Sequence, residues 1–275
     1  MKFGLALGGG GLRGAFHIGF LEVLLENGIK PDVIAGTSAG AIVAGVYASG
    51  VSPKKMQALF SEQQSLIQST LEKRLSLIPS GLIKGSTLEF ILKGITKNKG
   101  FASLNPPTAI VATDIHNGQP VIFTSPQLAA RSKQKNCTFI TKSPVSEAIR
   151  ASISIPGIFQ PIKVKGYTLV DGGLVSNVPA DVLKLMGVKK ILAVNLGFSV
   201  IKEKELDSAI GILLQAADIM GERISQQILD RYADLVIHPN TGEVSLWEIH
   251  KIPSLLELGR ETARQNLQEV KKLLA

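Results

Sequence analysis

The most constraining feature of the sequence is a short apolar stretch that runs straight into consecutive glycines. Phe3-Gly4-Leu5-Ala6-Leu7 is followed by Gly8-Gly9-Gly10-Gly11 and, after Leu12-Arg13-Gly14, by a helix-forming segment from about Ala15 to Glu26. The pattern recurs at Val33 to Ala35, which leads into Gly36-Thr37-Ser38-Ala39-Gly40 and a small-residue helical segment, Ala39 to Ala48. Strand, glycine turn and helix in repeated order predict a mostly parallel sheet covered on both faces. Further strands are expected at Ala109 to Thr113, Pro120 to Thr124, Tyr167 to Val170, Ile191 to Asn195 and Leu235 to Ile237. Further helices are expected at Ala180 to Met186, Leu206 to Arg231 and Ser254 to Leu274. No internal repeat, low-complexity linker or charge block marks a boundary. The expectation is therefore one three-layer α/β/α domain over residues 1–275.

Composition removes several alternatives. A chain of 275 residues buries enough surface to fold without disulfide or metal staples. Its lone cysteine, Cys137, excludes an intrachain disulfide and CxxC chemistry, and four scattered histidines without HExxH offer no zinc site. The net charge of +8 suits an anionic surface, but there is no run of five basic residues and only 5% aromatics, so nucleic acid is set aside. The amino-terminal apolar run is too short for a signal peptide. Val33 to Pro53 carries no charge, yet its Gly, Ala, Ser and Thr residues read as strand, turn and buried helix, not as a membrane span. A cytoplasmic location is expected, with peripheral contact at a membrane left open by a mean hydropathy of +0.23. Met56 to Lys84 places apolar residues at near-helical spacing beside lysines and an arginine, as a surface helix, a lid or a membrane-facing element would.

Three clusters can carry chemistry. Gly36 to Gly40 fits G-x-S-x-G at a strand-to-helix turn, which is either a nucleophile elbow exposing Ser38 or a glycine-rich packing turn. Gly9, Gly10 and Gly11 can converge their amides on an oxyanion. Gly9-x-Gly11-x-x-Gly14 also fits a dinucleotide fingerprint, but that fingerprint needs an acidic residue where this chain has Gly36-Thr37-Ser38. Asp171-Gly172-Gly173 follows a strand, so Asp171 is either a base for Ser38 or part of an ordinary turn.

Together and in this order, the clusters resemble the patatin-like phospholipase family of serine lipid acyl hydrolases. Gly9-Gly10-Gly11-Leu12-Arg13-Gly14 matches its glycine loop, Gly36 to Gly40 its elbow, and Asp171-Gly172-Gly173 its Asp-Gly-Gly motif. Ala112-Thr113-Asp114, Ala151 to Pro156 with Phe159 and Pro161, and Asn177-Val178-Pro179 are similar as well. The resemblance implies Ser38 as nucleophile, Asp171 as its partner, an oxyanion hole at Gly9, Gly10 and Gly11, a lipid ester substrate, and neither metal nor organic cofactor. Arg13 would position the loop or an anionic head group. A carboxylate of ordinary pKa is a feeble base for a hydroxyl, so such a dyad needs Asp171 raised by burial. Two other arrangements stay open. One is a Ser-His-Asp esterase completed by His238 or His250, with His17 and His116 structural. The other is a non-catalytic lipid-binding protein on the same fold.

Overall fold

β1 (Phe3–Leu7) and β2 (Val33–Thr37) are buried along their whole length, as strands covered by helices on both faces must be. The computed structural model describes residues 2–59, 62, 85–132, 136–197, 209–242, 244 and 248–275. Between and after these strands come α1 (Ala15–Glu26), α2 (Ala39–Ala48), α3 (Ser86–Ile95), β3 (Thr108–Asp114), β4 (Pro120–Thr124), α4 (Pro126–Ala129), β5 (Thr138–Ile140) and α5 (Val145–Ser152). The chain continues through β6 (Ile162–Val164), β7 (Tyr167–Asp171), α6 (Ala180–Leu185), β8 (Lys190–Val194), α7 (Ala209–Tyr232), β9 (Leu235–Ile237) and α8 (Ile252–Leu274).

The strands form one mixed sheet in the order β5-β4-β3-β2-β1-β8-β9, with β7 added on β3 and β6 on β7. The pairings β2–β3, β1–β2, β1–β8, β8–β9 and β4–β5 are parallel. Those of β3 with β4 and β7, and of β6 with β7, are antiparallel. Alternate residues feed two cores. Leu5, Leu7, Ile34, Ile110, Leu192 and Val194 pack with α1, α2 and α5 on one face. Ala6, Val33, Ala35, Ala109, Ile191 and Ala193 pack with α6 and Leu229 of α7 on the other. This period-two partition is what makes the fold three-layered.

Several elements differ from the sequence expectation. β2 runs two residues beyond Ala35, as far as the turn that carries Ser38. Val145–Ser152 forms a helix of eight residues that the sequence reading did not assign, with Ser146, Arg150 and Ser152 buried along with its apolar residues. β5 and β6 have three residues each, too few to show a strand period. The Val33 to Pro53 stretch is β2 and α2 at the centre of the fold, and among the described residues no helix is long and apolar enough to cross a membrane. Most of Met56 to Lys84 lies outside the described residues; its start, 53–59, is helical, with Met56 in the core.

Helix α8 lies along α1, where two glycines permit close approach. A side chain on Gly19 would collide with the Leu256 carbonyl, and one on Gly259 with the Phe16 carbonyl. Arg260 of α8 adds an ion pair of 2.7 Å to the largely buried Glu22 of α1. Gly259→Ala is expected to destabilise the protein by about 1–3 kcal/mol through overpacking, seen as a fall of several degrees in thermal melting. An unchanged melting temperature would mean that the two helices separate at no cost.

Candidate active site

Strand β3 brings the site together. On one of its sides β2 pairs as far as Thr37 opposite Val111, and at the next residue β7 takes over, with Asp171 opposite Ala112. β2 runs parallel to β3 and β7 antiparallel, so the two strands meet end to end and the residues closing each of them share one point. There the sequence places Ser38 and Asp171.

Ser38 is 7% exposed and has φ +53 and ψ −121, a conformation that a residue with a Cβ rarely adopts. It occupies the N-cap position of α2, yet its hydroxyl makes no capping bond, which leaves Oγ available at the positive end of the helix. The turn is sterically tight. A side chain on Gly36 would strike the Gly40 carbonyl, and one on Gly40 the Leu7 carbonyl. Gly14 lies equally close to Ala39, and Gly172 to the Val111 carbonyl.

Asp171 is 6% exposed. Its amide donates to the Ser154 carbonyl at 3.0 Å, and its carbonyl accepts from Thr113 Oγ1 at 2.8 Å. Its Oδ1 accepts from the Gly173 amide at 2.8 Å, while Oδ2 is buried without a hydrogen bond of normal geometry among the described residues. Burial pushes the Asp171 carboxyl up to about 7. The Ser38 hydroxyl and the Gly173 amide pull in the other direction and are outweighed, and Asp218 of α7 adds to the rise. The serine hydroxyl therefore faces the carboxyl closely enough to influence its titration, short of a well-formed hydrogen bond.

The glycine loop lies against this pair, since a side chain on Gly9 would press on Ser38 Cβ at 3.0 Å. The three expected oxyanion donors differ in their hydrogen bonding, and Gly9 has internal partners. Its N–H donates to the Asn177 carbonyl at 3.1 Å and to Asn177 Oδ1 at 3.2 Å, so it is already engaged. The amides of Gly10 (φ +159) and Gly11 (φ +57) have no such partner among the described residues. Arg13 is a brace. Its buried guanidinium donates to the carbonyls of Leu196 at 2.7 Å, Gly197 at 3.1 Å and Gly10 at 3.3 Å, tying the loop to the end of β8.

No histidine completes the pair. His238 is exposed at the end of β9, three strands from β2 and so about 14 Å away across the sheet. His250 is exposed beyond it, and His116 meets Thr168 at 3.1 Å. His17 is fully buried with Nε2 2.8 Å from the Gly8 carbonyl, which makes Nε2 the protonated nitrogen. Burial lowers its pKa to about 4, so it stays neutral behind the loop. Among the described residues no group of acidic, histidine or cysteine side chains is arranged to hold a metal. Asn177, Ser152 and Ser154 hold this site, and sequence reading gave them no role because their partners are over a hundred residues away or on another strand.

Comparison with known proteins assigns the chain to a family. The family model described as patatin-like phospholipase matches residues 5–184. An uncharacterized protein of Bacillus subtilis, YqhO, is 30% identical over 95% of this chain and 96% of its own length. A patatin-like phospholipase domain-containing protein of Caenorhabditis elegans is 32% identical over 70% of the chain but only 13% of that protein. An uncharacterized NTE family protein of Mycobacterium tuberculosis is 27% identical over 97% of the chain and 46% of its own length. The solved structure of VipD from Legionella pneumophila shares the fold, with a TM-score of 0.52 at 16% identity over 98% of this chain and 67% of that one. The chain belongs to the patatin-like phospholipase family, a family of lipid acyl hydrolases.

The buried carboxyl predicts a pH-dependent stability. Asp171 titrates near 3.8 when exposed and near 7 in the fold, so the folded state holds its proton more tightly. The resulting stability is complete below about pH 4 and is lost as pH rises through 7. Asp171→Asn removes that loss. The variant should melt several degrees above the parent at about pH 8 and show no such gain at about pH 4; an equal difference at both pH values would contradict the raised pKa.

Proposed function

We propose that this protein is a serine acyl hydrolase that cleaves carboxylic esters of lipids, with Ser38 as nucleophile and Asp171 as its base. The observation that carries the reading is the meeting of an uncapped, strained serine with a buried carboxyl of pKa about 7 at one point on β3. A base of that pKa is close to optimal for proton transfer at neutral pH, where about half of it is ionised. Family membership supports the substrate class.

Ser38 Oγ attacks the ester carbonyl as its proton passes to Asp171. The oxyanion forms against the Gly10 and Gly11 amides, and Arg13, by holding the Gly10 carbonyl, fixes the Gly11 N–H on the other side of the same peptide plane. Collapse of the tetrahedral intermediate expels the alcohol, which takes the proton from Asp171 and leaves an acyl-Ser38 ester. Water then attacks that ester, giving its proton to the same carboxylate, and collapse of the second intermediate releases the fatty acid as Asp171 returns that proton to Ser38 Oγ. No step needs a cofactor or a metal. A bilayer bearing the substrate is the natural partner surface for a chain of net charge +8.

Mass spectrometry after reaction with a fluorophosphonate should show one adduct, on Ser38. Ser38→Ala should lose both adduct and turnover of a short-chain ester while melting almost normally; labelling of another serine would overturn the assignment. Asp171→Asn should reduce kcat by on the order of a hundredfold or more, while His238→Ala and His250→Ala keep most activity. In the parent, kcat/KM should rise with pH, reach half its plateau near pH 7, as the Asp171 pKa requires, and level off above that. A midpoint near 4 would remove Asp171 from the role of base.

A further inference from the structure

Ser152 lies outside the proposed pair yet holds the backbone of both partners. β2 pairs with β3 as far as Thr37 opposite Val111, and one residue later the positive φ of Ser38 turns the chain away. The fully buried hydroxyl of Ser152 spans the gap. It accepts from the Ser38 amide at 2.8 Å and donates to the Val111 carbonyl at 2.6 Å. An amide only donates and a carbonyl only accepts, so the hydroxyl proton has one place to go and its orientation is fixed. In effect Ser152 is a relayed rung of the sheet at the position where the elbow breaks it.

The same segment reaches the other partner. Ser154, two residues on, accepts the Asp171 amide through its carbonyl at 3.0 Å. Its hydroxyl donates to the Arg150 carbonyl at 2.8 Å and accepts from Arg150 Nη1 at 2.5 Å. Arg150 in turn donates to the Gln160 carbonyl at 2.8 Å, which stiffens the end of α5.

We infer that Ser152 is a positioning residue for the reaction, setting the backbone of the Ser38 turn and through it the approach of Ser38 Oγ to the Asp171 carboxyl. The inference rests on the functional reading above. Without the hydroxyl, the Ser38 amide and the Val111 carbonyl are buried and unpaired. A turn already held in a strained conformation relieves this by rotating, which carries Oγ away from Asp171. The carboxyl then loses the nearby Ser38 hydroxyl, which favours its charged form, while the Gly173 amide and Asp218 are unchanged, so it titrates higher.

The test uses the full chain as the parent and as Ser152→Ala, Ser152→Cys and Ser152→Thr. Competent sites are counted by fluorophosphonate titration, and kcat and KM for one short-chain ester are followed across neutral pH. Per titrated site, Ser152→Ala should lose kcat by about 10- to 100-fold with KM nearly unchanged, as misplacement of a reacting group does. The midpoint of its pH profile should move upward. Ser152→Thr, which keeps a hydroxyl, should recover part of the loss, and Ser152→Cys, a similar shape with a weak acceptor, should not. A lowered melting temperature with unchanged kcat per site and an unmoved midpoint overturns the inference, because it leaves Ser152 a packing residue. If Ser152→Ala does not fold, Ser152→Cys decides by the same readouts. An active parent indifferent to Ser152 overturns this inference alone; a parent that neither labels at Ser38 nor turns over esters overturns the functional reading and this inference with it.

Discussion

Everything at this site depends on two strands ending against each other along one side of β3. Parallel β2 and antiparallel β7 bring a serine and a carboxyl together from positions 133 residues apart, counted from Ser38 to Asp171. Both residues are buried where the strands meet, and that desolvation is what raises the carboxyl. A carboxyl in the same register at an exposed sheet edge would be an ordinary acid. Topology and desolvation are thus one cause with two consequences, proximity and basicity.

The surrounding contacts keep that meeting point stiff. Arg13 ties the glycine loop to the end of β8, Asn177 ties it to the segment after Asp171, and residues 152–154 tie the Ser38 turn to β7. Each tie ends on a backbone group, so each fixes main chain as well as side chain. The proposed hydrolysis would draw on this stiffness, since donors that stabilise developing charge must be aimed beforehand. The arrangement also separates the glycines by task. Gly9 is spent on the framework, whereas Gly10 and Gly11 keep amides in hand.

The outlines of this were legible in the letters. The apolar runs at Phe3 to Leu7 and Val33 to Ala35, each ending in glycines, gave the central parallel strands and both turns, because strand period and turn chemistry are local properties. Ser38 and Asp171 stood out for the same reason. What stayed hidden is non-local. Nothing in Asp171-Gly172-Gly173 says that β7 is antiparallel to β3, and nothing in Gly9 says that Asn177 will occupy its amide. The helix Val145–Ser152 was easy to pass over because it is only eight residues long, so Val145, Ala148 and Ile149 at helical spacing make a single short repeat. Arg13 had two roles open to it, and three carbonyl acceptors in the fold make it a brace.

The junction of β7 with β3 has a consequence for how such a protein tolerates error. Side chains on a strand alternate between faces, so displacement of β7 by a single residue would send the Asp171 carboxyl into the opposite layer. Proximity here is therefore a matter of register: any slip carries Asp171 along β3 away from Ser38, and an odd one also turns its carboxyl to the other face, while the hydrogen-bonded ladder loses little. The Thr113 hydroxyl on the Asp171 carbonyl and the close seat of Gly172 on Val111 belong to the native alignment alone. They leave a misaligned strand poorly packed, so the local fit that seats β7 is also the one that brings the Asp171 carboxyl to Ser38.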